Sequence, residues 1–319
     1  MQHQTKEMND TGKKNQNDNY IIINPSMEEF DGNNIDLKNL PLVSFCIPTK
    51  NNEDTIEACL ESIKAQNYPN TEIIIIDGNS TDKTISIAQK YSDKIVYDAG
   101  TYGSACQTGL ESSSGEIIAS LDSDIIIPHS NWLIHAVPYF NYCNRVSSVW
   151  PLYVAPPNAT GFARLYQTHL YMIFMNNRIS KNIGYFGGGN TLFLRKSLED
   201  IGGINRDIHW GADFEWAKRL KDLGYKVVFI SDPLYHDTMR TFYQFFKKQF
   251  VGANTFVDSR FGLMGLSTYE ILYEHLILGT KGMIKGLLID RDYCWLYYPF
   301  LVASRFFAYG YIYLKKLRL

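Results

Sequence analysis

Cysteine is scarce and unpatterned in this 319-residue chain: Cys46, Cys59, Cys106, Cys143 and Cys294 are odd in number, scattered, and never spaced as CxxC. That spacing excludes a disulfide framework or a zinc-binding cysteine set and reads as buried small hydrophobes in a reducing compartment. A basic excess is missing too. Lys and Arg together number 31 against 33 for Asp and Glu, whereas a dedicated nucleic-acid binder carries a surplus of positive charge. No apolar run follows a basic start, so no signal peptide is expected and a cytosolic catalytic body is. Aromatic side chains, by contrast, are plentiful and uneven: ten of the 45 lie between Tyr293 and Tyr313.

Three stretches differ in character. Residues 1–39 form a polar leader, with eight Asn in the first forty residues and Ile21, Ile22 and Ile23 as its one apolar patch. Nothing there offsets the entropy of ordering, so the first twenty residues are expected to be disordered. Residues 40–240 read as the catalytic domain and 241–319 as a helical C-terminal extension. Within the domain, Leu42 to Ile47, Glu72 to Ile76, Lys94 to Tyr97 and Glu116 to Leu121 read as strands. The four isoleucines of the second do not alternate with polar residues, which suits a parallel strand covered on both faces. Ile56, Cys59, Leu60 and Ile63 fall at i, i+3, i+4 and i+7, one face of a helix. Further helices are expected from Asp82 to Tyr91, capped by Ser80 or Thr81, and from Gly103 to Ser112. This alternation predicts an α/β fold with a doubly wound, mixed but mainly parallel sheet flanked by helices.

In such sheets ligands bind beyond the carboxyl ends of the strands. That rule singles out Pro48 and Thr49, Asp77, and the pair Asp122 and Asp124. The last two flank one small residue within apolar sequence, and a divalent cation, Mg²⁺ or Mn²⁺, is the natural partner for two such carboxylates. A solvated turn would give the same three letters. Asp77 opens Asp77-Gly78-Asn79-Ser80-Thr81-Asp82, too early to cap the next helix and suitably placed to accept hydrogen bonds from a base or ribose.

Taken together, the motifs resemble the family 2 glycosyltransferases of the GT-A fold. Val43 to Asn51 is similar to that family's V-S-x-x-I-P-T-x-N, and Gly115 to Asp124 to its G-E-x-x-x-x-L-D-x-D. Cys59 to Ile63, Tyr68-Pro69 and Glu72 to Asp82 continue the match in order. Gly187-Gly188-Gly189-Asn190 resembles its glycine-Asn loop, Trp210 to Trp216 its G-E-D-x-D helix start, and Val227 to His236 its closing strand. The resemblance covers about 43 to 240. It implies an inverting, metal-assisted, nucleotide-sugar-dependent enzyme. Pro48, Thr49, Asn51, Asp77, Asp122, Gly188, Gly189 and Asn190 would bind the donor. Asp122, Asp124 and His236 would hold the metal, and Asp213 would be the general base. A saccharide or a polyprenyl-phosphate-linked glycan would be the acceptor, and for an already ionised phosphate Asp213 would have less to do.

Several positions depart from the pattern. Ala212 replaces the family's Glu, Lys50 and Asn52 stand where many relatives have Tyr and Glu, and Gln107 occupies a position often basic. The Q-x-x-R-W of processive synthases is missing, which favours one sugar per encounter. A sugar nucleotidyltransferase would need a basic glycine-rich loop after the first strand, and none is there. A non-catalytic carbohydrate or nucleotide-sugar binder would tolerate loss of the three aspartates, which are all retained.

In the extension, Phe242, Phe245, Phe246 and Phe250 line one side of a helix beside Lys247 and Lys248. Cys294 to Leu314 has one charge, Arg305, and Lys315, Lys316 and Arg318 follow it. A single span would keep that basic tail in the cytosol and put the sugar chemistry outside. An in-plane anchor on the cytoplasmic face of a membrane is therefore expected.

Overall fold

The computed structural model describes residues 20–23, 39–258 and 265–317. All but the last of the first twenty residues, for which disorder is expected, lie outside that set. The chain divides into two compact units, Met1–Leu152 with Tyr185–Leu234, and Tyr153–Gly184 with Tyr235–Leu319. Tyr153–Gly184, inside the range read as the catalytic domain, thus belongs with the C-terminal helices.

The first unit is built on a nine-stranded sheet. Its strands are β1 (Ile21–Ile23), β2 (Val43–Thr49), β3 (Thr71–Asp77), β4 (Lys94–Tyr97), β5 (Ile117–Ser120), β6 (Ile125–Ile126), β7 (Val146–Val154), β8 (Thr191–Leu194) and β9 (Lys226–His236). Their spatial order is β1-β9-β7-β8-β5-β2-β3-β4, with β6 paired to β9. The pairs β5/β2, β2/β3 and β3/β4 are parallel, and β8 runs antiparallel to both β5 and β7. This is the mixed, mainly parallel sheet that the sequence predicts. Ile73 to Ile76 are fully buried, as their unbroken run requires of a strand covered on both faces. The leader's apolar patch, Ile21 to Ile23, is β1, an edge strand parallel to β9.

Helix Tyr102–Ser112 lies directly on β2 and β3. A Cβ at Gly109 would come to 3.0 Å from Cys46 Cβ and Ile76 Cδ1, so a side chain there would have to push its neighbours back by a few tenths of an ångström. Helix Ala212–Asp222 contributes Trp216 and Leu220 to the same core, beside Phe193, Ile118 and Leu110. Each such fully buried large side chain is worth roughly 1.5–3 kcal/mol relative to exposure. The helix expected from Asp82 to Tyr91 is shorter, Thr84–Ala88, because Asp82 Oδ1 accepts the Thr84 N–H at 3.0 Å and holds the chain before it in a turn. Neither Ser80 nor Thr81 caps it.

The topology aligns the ends that matter. Thr49 pairs with Asp77, and Cys46 with Ser120, so β5, β2 and β3 finish side by side. Because β8 is antiparallel to β5, its first residue Thr191 faces Ser120, and Gly188–Asn190 enters at that same edge.

The second unit is helical, with a core of Phe162, Leu165, Phe174, Phe245, Trp295, Tyr298 and Leu301. Its long helices are Phe242–Asp258 and Tyr298–Leu317. Among the described residues no helix is long and apolar enough to cross a membrane. Phe245 and Gln249 are buried, while Tyr243, Lys247 and Lys248 face outward. Arg305, the lone charge of the last apolar stretch, turns inward: its Nε donates to Gln249 Oε1 at 2.8 Å, and its Nη1 meets His275 Nε2.

Candidate active site

Asp122 follows β5 and is held from two sides. Tyr102 Oη donates to its Oδ1 at 3.1 Å, and Asn190 Nδ2 donates to its Oδ2 at 2.9 Å. Asn190 also accepts the Asp122 N–H on its Oδ1 at 2.7 Å. Asn190 is buried in the left-handed region, with φ 49°, a conformation Asn tolerates better than most residues. The residue read as a donor contact thus grips the first carboxylate of the DxD pair, at backbone and side chain together.

Three neighbouring groups register the negative potential of this corner. Burial, then the charge of Asp122, pushes the Tyr102 hydroxyl well above its ordinary range, so it remains a proton donor to that carboxylate. The Cys106 thiol is raised for the same two reasons. Burial raises the Cys59 thiol, and Asp124 and Asp122 raise it further. Asp122 and Asp124 are both half-buried, and Ser123 between them is buried. An all-oxygen carboxylate pair in a negative corner is the donor set of a hard divalent ion, so these residues fit Mg²⁺ or Mn²⁺.

Asp213 lies in the first turn of helix Ala212–Asp222, after Gly211 at φ 79°. The glycine loop packs against it. A Cβ at Gly188 would sit 2.5 Å from the Asp213 carbonyl oxygen, and one at Gly189 would sit 3.5 Å from its Oδ2. No side chain fits at Gly188. Asp213 also contributes to the raised Tyr102 hydroxyl, so Asp122, Tyr102 and Asp213 share one electrostatic environment.

On the other flank, the loops after β2 and β3 are laced together. Asn51, at φ 54°, donates its N–H to Ser80 Oγ at 2.9 Å, and its Oδ1 accepts the Thr81 N–H at 2.8 Å. Thr49 Oγ1 donates to Asn52 Oδ1 at 3.1 Å. Buried Asp77 accepts the Ser80 N–H on both carboxylate oxygens, the nearer at 3.1 Å. Pro48 is half-buried in β2 between Ile47 and Thr49. His236 is the last residue of β9 and belongs to the second unit, where its ring lies edge-on to Tyr153, centroids 6.3 Å apart.

Two supporting residues are not among the expected site residues. Tyr102 is one of 22 tyrosines and sits in no motif. Gln107, where a basic residue is common, accepts the Ile204 N–H on its Oε1 at 2.6 Å and so braces the Gly202-Gly203 turn.

Known proteins are similar to this chain in sequence and in architecture. Residues 44–202 match the family described as glycosyl transferase family 2. The glycosyltransferase AglE of Haloferax volcanii is 32% identical over 223 residues, which cover 66% of this chain and 71% of that one. A beta-monoglucosyldiacylglycerol synthase of a Nostoc species is 30% identical over 183 residues, 53% of this chain and 39% of its own length. Among solved structures, the mannosyltransferase PcManGT of Pyrobaculum calidifontis, in complex with GDP-Man and Mn²⁺, superposes with a TM-score of 0.61 at 20% identity, covering 88% of each chain. That likeness is one of fold.

Proposed function

The chain belongs to glycosyl transferase family 2 and is a glycosyltransferase; from that premise we propose that it moves one sugar per encounter from a nucleotide-diphosphate sugar to an acceptor, with inversion at the anomeric carbon. The observation that carries this reading is the grip of Tyr102 and Asn190 on Asp122, at a strand end whose negative potential also reaches Cys59 and Cys106.

Thr49, Asn51 and Asp77, with Pro48 beside them, hold the nucleoside. Laced loops suit that task, since a rigid edge loses little freedom when the donor binds. Asp122 and Asp124 would hold Mg²⁺ or Mn²⁺. When bound, the ion supplies Lewis acidity to the departing diphosphate. Gly188 and Gly189 let the donor sugar approach the backbone. Asp213 takes the proton of the acceptor hydroxyl, which requires hydrogen-bond reach in the ternary complex. A single base acting across from a single leaving group gives inversion.

The acceptor is a saccharide or a polyprenyl-phosphate-linked glycan, presented at the cytoplasmic face of a membrane. Support comes from the second unit, where Phe300, Phe307, Tyr311, Leu314 and Leu317 are exposed near Lys315. Aromatic and aliphatic side chains beside lysines suit an anionic lipid interface. The Nostoc relative, by its name, makes a glycolipid.

The test is a panel of UDP- and GDP-sugars scored by thermal stabilisation with and without Mn²⁺. One donor should stabilise the protein in a metal-dependent way, and stabilisation by none would sink the donor reading. In flotation, the protein should rise with vesicles containing anionic lipid. Recovery wholly in the aqueous fraction would count against the membrane surface.

A further inference from the structure

A second cluster of candidate ligands lies in the first unit, on residues other than those of the DxD corner. His129, His135 and Asp232 each offer one donor atom, all within 4.8 Å of one another. His129 Nε2 lies 2.9 Å from Asp232 Oδ1 and 3.0 Å from Oδ2, and His135 Nδ1 lies 3.9 Å from Oδ2. The two imidazoles are 5.8 Å apart, centroid to centroid. In a tetrahedral site with metal–ligand bonds of roughly 2.1 Å, donor atoms are separated by about 3.4 Å. The observed nitrogen–oxygen spacings bracket that value, so small side-chain rotations would seat an ion.

The backbone beneath these donors is held in place. Gln66 Nε2 donates to the His129 carbonyl at 3.0 Å, and Gln66 Oε1 accepts the Leu133 N–H at 3.2 Å. Buried Trp132 donates its indole N–H to the Asp232 carbonyl at 3.5 Å. Such outer contacts orient ligands before the ion arrives. The side chains themselves are open to solvent, 40% exposed for His129 and 59% for His135.

A rival set in the second unit, His169, Asp292 and Cys294, is weaker. Its carboxylate is already paired with Arg164 at 2.8 Å, and a cation would have to displace that guanidinium.

We propose that His129, His135 and Asp232 form a second cation site, distinct from the DxD pair, for a borderline ion such as Zn²⁺. Two imidazoles and one carboxylate select late first-row ions, whereas carboxylate-only sites select Mg²⁺ and Mn²⁺. Three protein ligands leave the fourth position to water. A bound ion ties the segment just after Asp124 to the far part of β9, and stabilises the folded chain by mass action.

The experiment is Zn²⁺ uptake by the full-length chain after chelator stripping, read by calorimetric stoichiometry and by melting temperature. Wild type should bind one equivalent of Zn²⁺ that His135→Ala and His129→Ala both lack and that Asp124→Asn retains. Zn²⁺ should raise the melting temperature of Asp124→Asn by several degrees more than that of His135→Ala. His135 is largely exposed, so its loss does not endanger folding. Equal Zn²⁺ stoichiometry in wild type and His135→Ala would overturn the proposal. So would disappearance of the equivalent in Asp124→Asn, which would assign the ion to the DxD pair instead.

Discussion

The two units treat charge and hydrophobic surface in opposite ways. The first hides most of its large apolar side chains and brings half-buried carboxylates, Asp122 and Asp124, to one strand end. The second buries Glu274 and His275 and turns Arg305 inward, yet leaves Phe300, Phe307, Leu314 and Leu317 exposed. Its inner charges are paired, as burial demands: Arg178 donates Nε and Nη2 to Glu274 at 2.9 and 2.7 Å, and Asn177 adds a third hydrogen bond at 3.2 Å. On the proposed function the contrast would be a division of labour, with chemistry in the sheet and attachment in the helices.

The largest effect that bears on this division is expected at Asp213. Asp213→Asn should lower turnover on a hydroxyl acceptor by about 10²–10⁴-fold, the range for removal of a general base, with donor affinity little changed. Turnover within threefold of wild type would take Asp213 out of the chemistry. Next, Glu274→Ala leaves Arg178 buried without its counter-charge and should cost about 3–5 kcal/mol in urea unfolding. A loss under about 1 kcal/mol would mean that the inner charges of the second unit are solvated after all.

Asn190→Ala sharpens the comparison on the catalytic side. Losing a residue that orients a metal-binding carboxylate typically lowers activity or metal affinity about 10–100-fold. Activity should fall in that range and recover in part at high Mn²⁺. Loss of activity with an unchanged Mn²⁺ requirement would point to a donor contact rather than a grip on Asp122.

The smallest effect is a pH dependence in the second unit. Burial, then the Arg305 charge, lowers His275 from 6.5 to about 3, and it stays neutral when folded. Unfolded, it takes a proton below about 6.5. Its contribution to stability is therefore complete above that pH and is lost as pH falls toward 3. Between pH 6.5 and 5, unfolding free energy should decline by up to about 1.4 kcal/mol per pH unit on this account. The slope should flatten in His275→Gln, and an identical slope in that variant would exclude His275 as its source.

Much of this was legible in the residues. Apolar runs such as Glu72 to Ile76 mark buried parallel strands, and the strand-end rule led to Thr49, Asp77, Asp122 and Asp124. What escaped depended on distant partners. Ile21 to Ile23 looks too short to order alone, and becomes a strand only because Val227 to Phe229 lies beside it. Asn190 reads as part of a sugar-binding loop until its two hydrogen bonds to Asp122 are seen. Arg305 reads as an interfacial charge, but Gln249, 56 positions away, draws it inside. Local composition shows which residues are available, and long-range packing decides what each one touches.

The most direct test of the central claim is transfer of labelled sugar from a nucleotide sugar by the wild-type chain and by Asp124→Asn, each with Mn²⁺ and with chelator. The account predicts transfer by wild type with Mn²⁺ alone, and loss of at least about 10²-fold in the variant, since a metal-held leaving group is worth several kcal/mol. Undiminished transfer by Asp124→Asn, or by wild type in chelator, would contradict it.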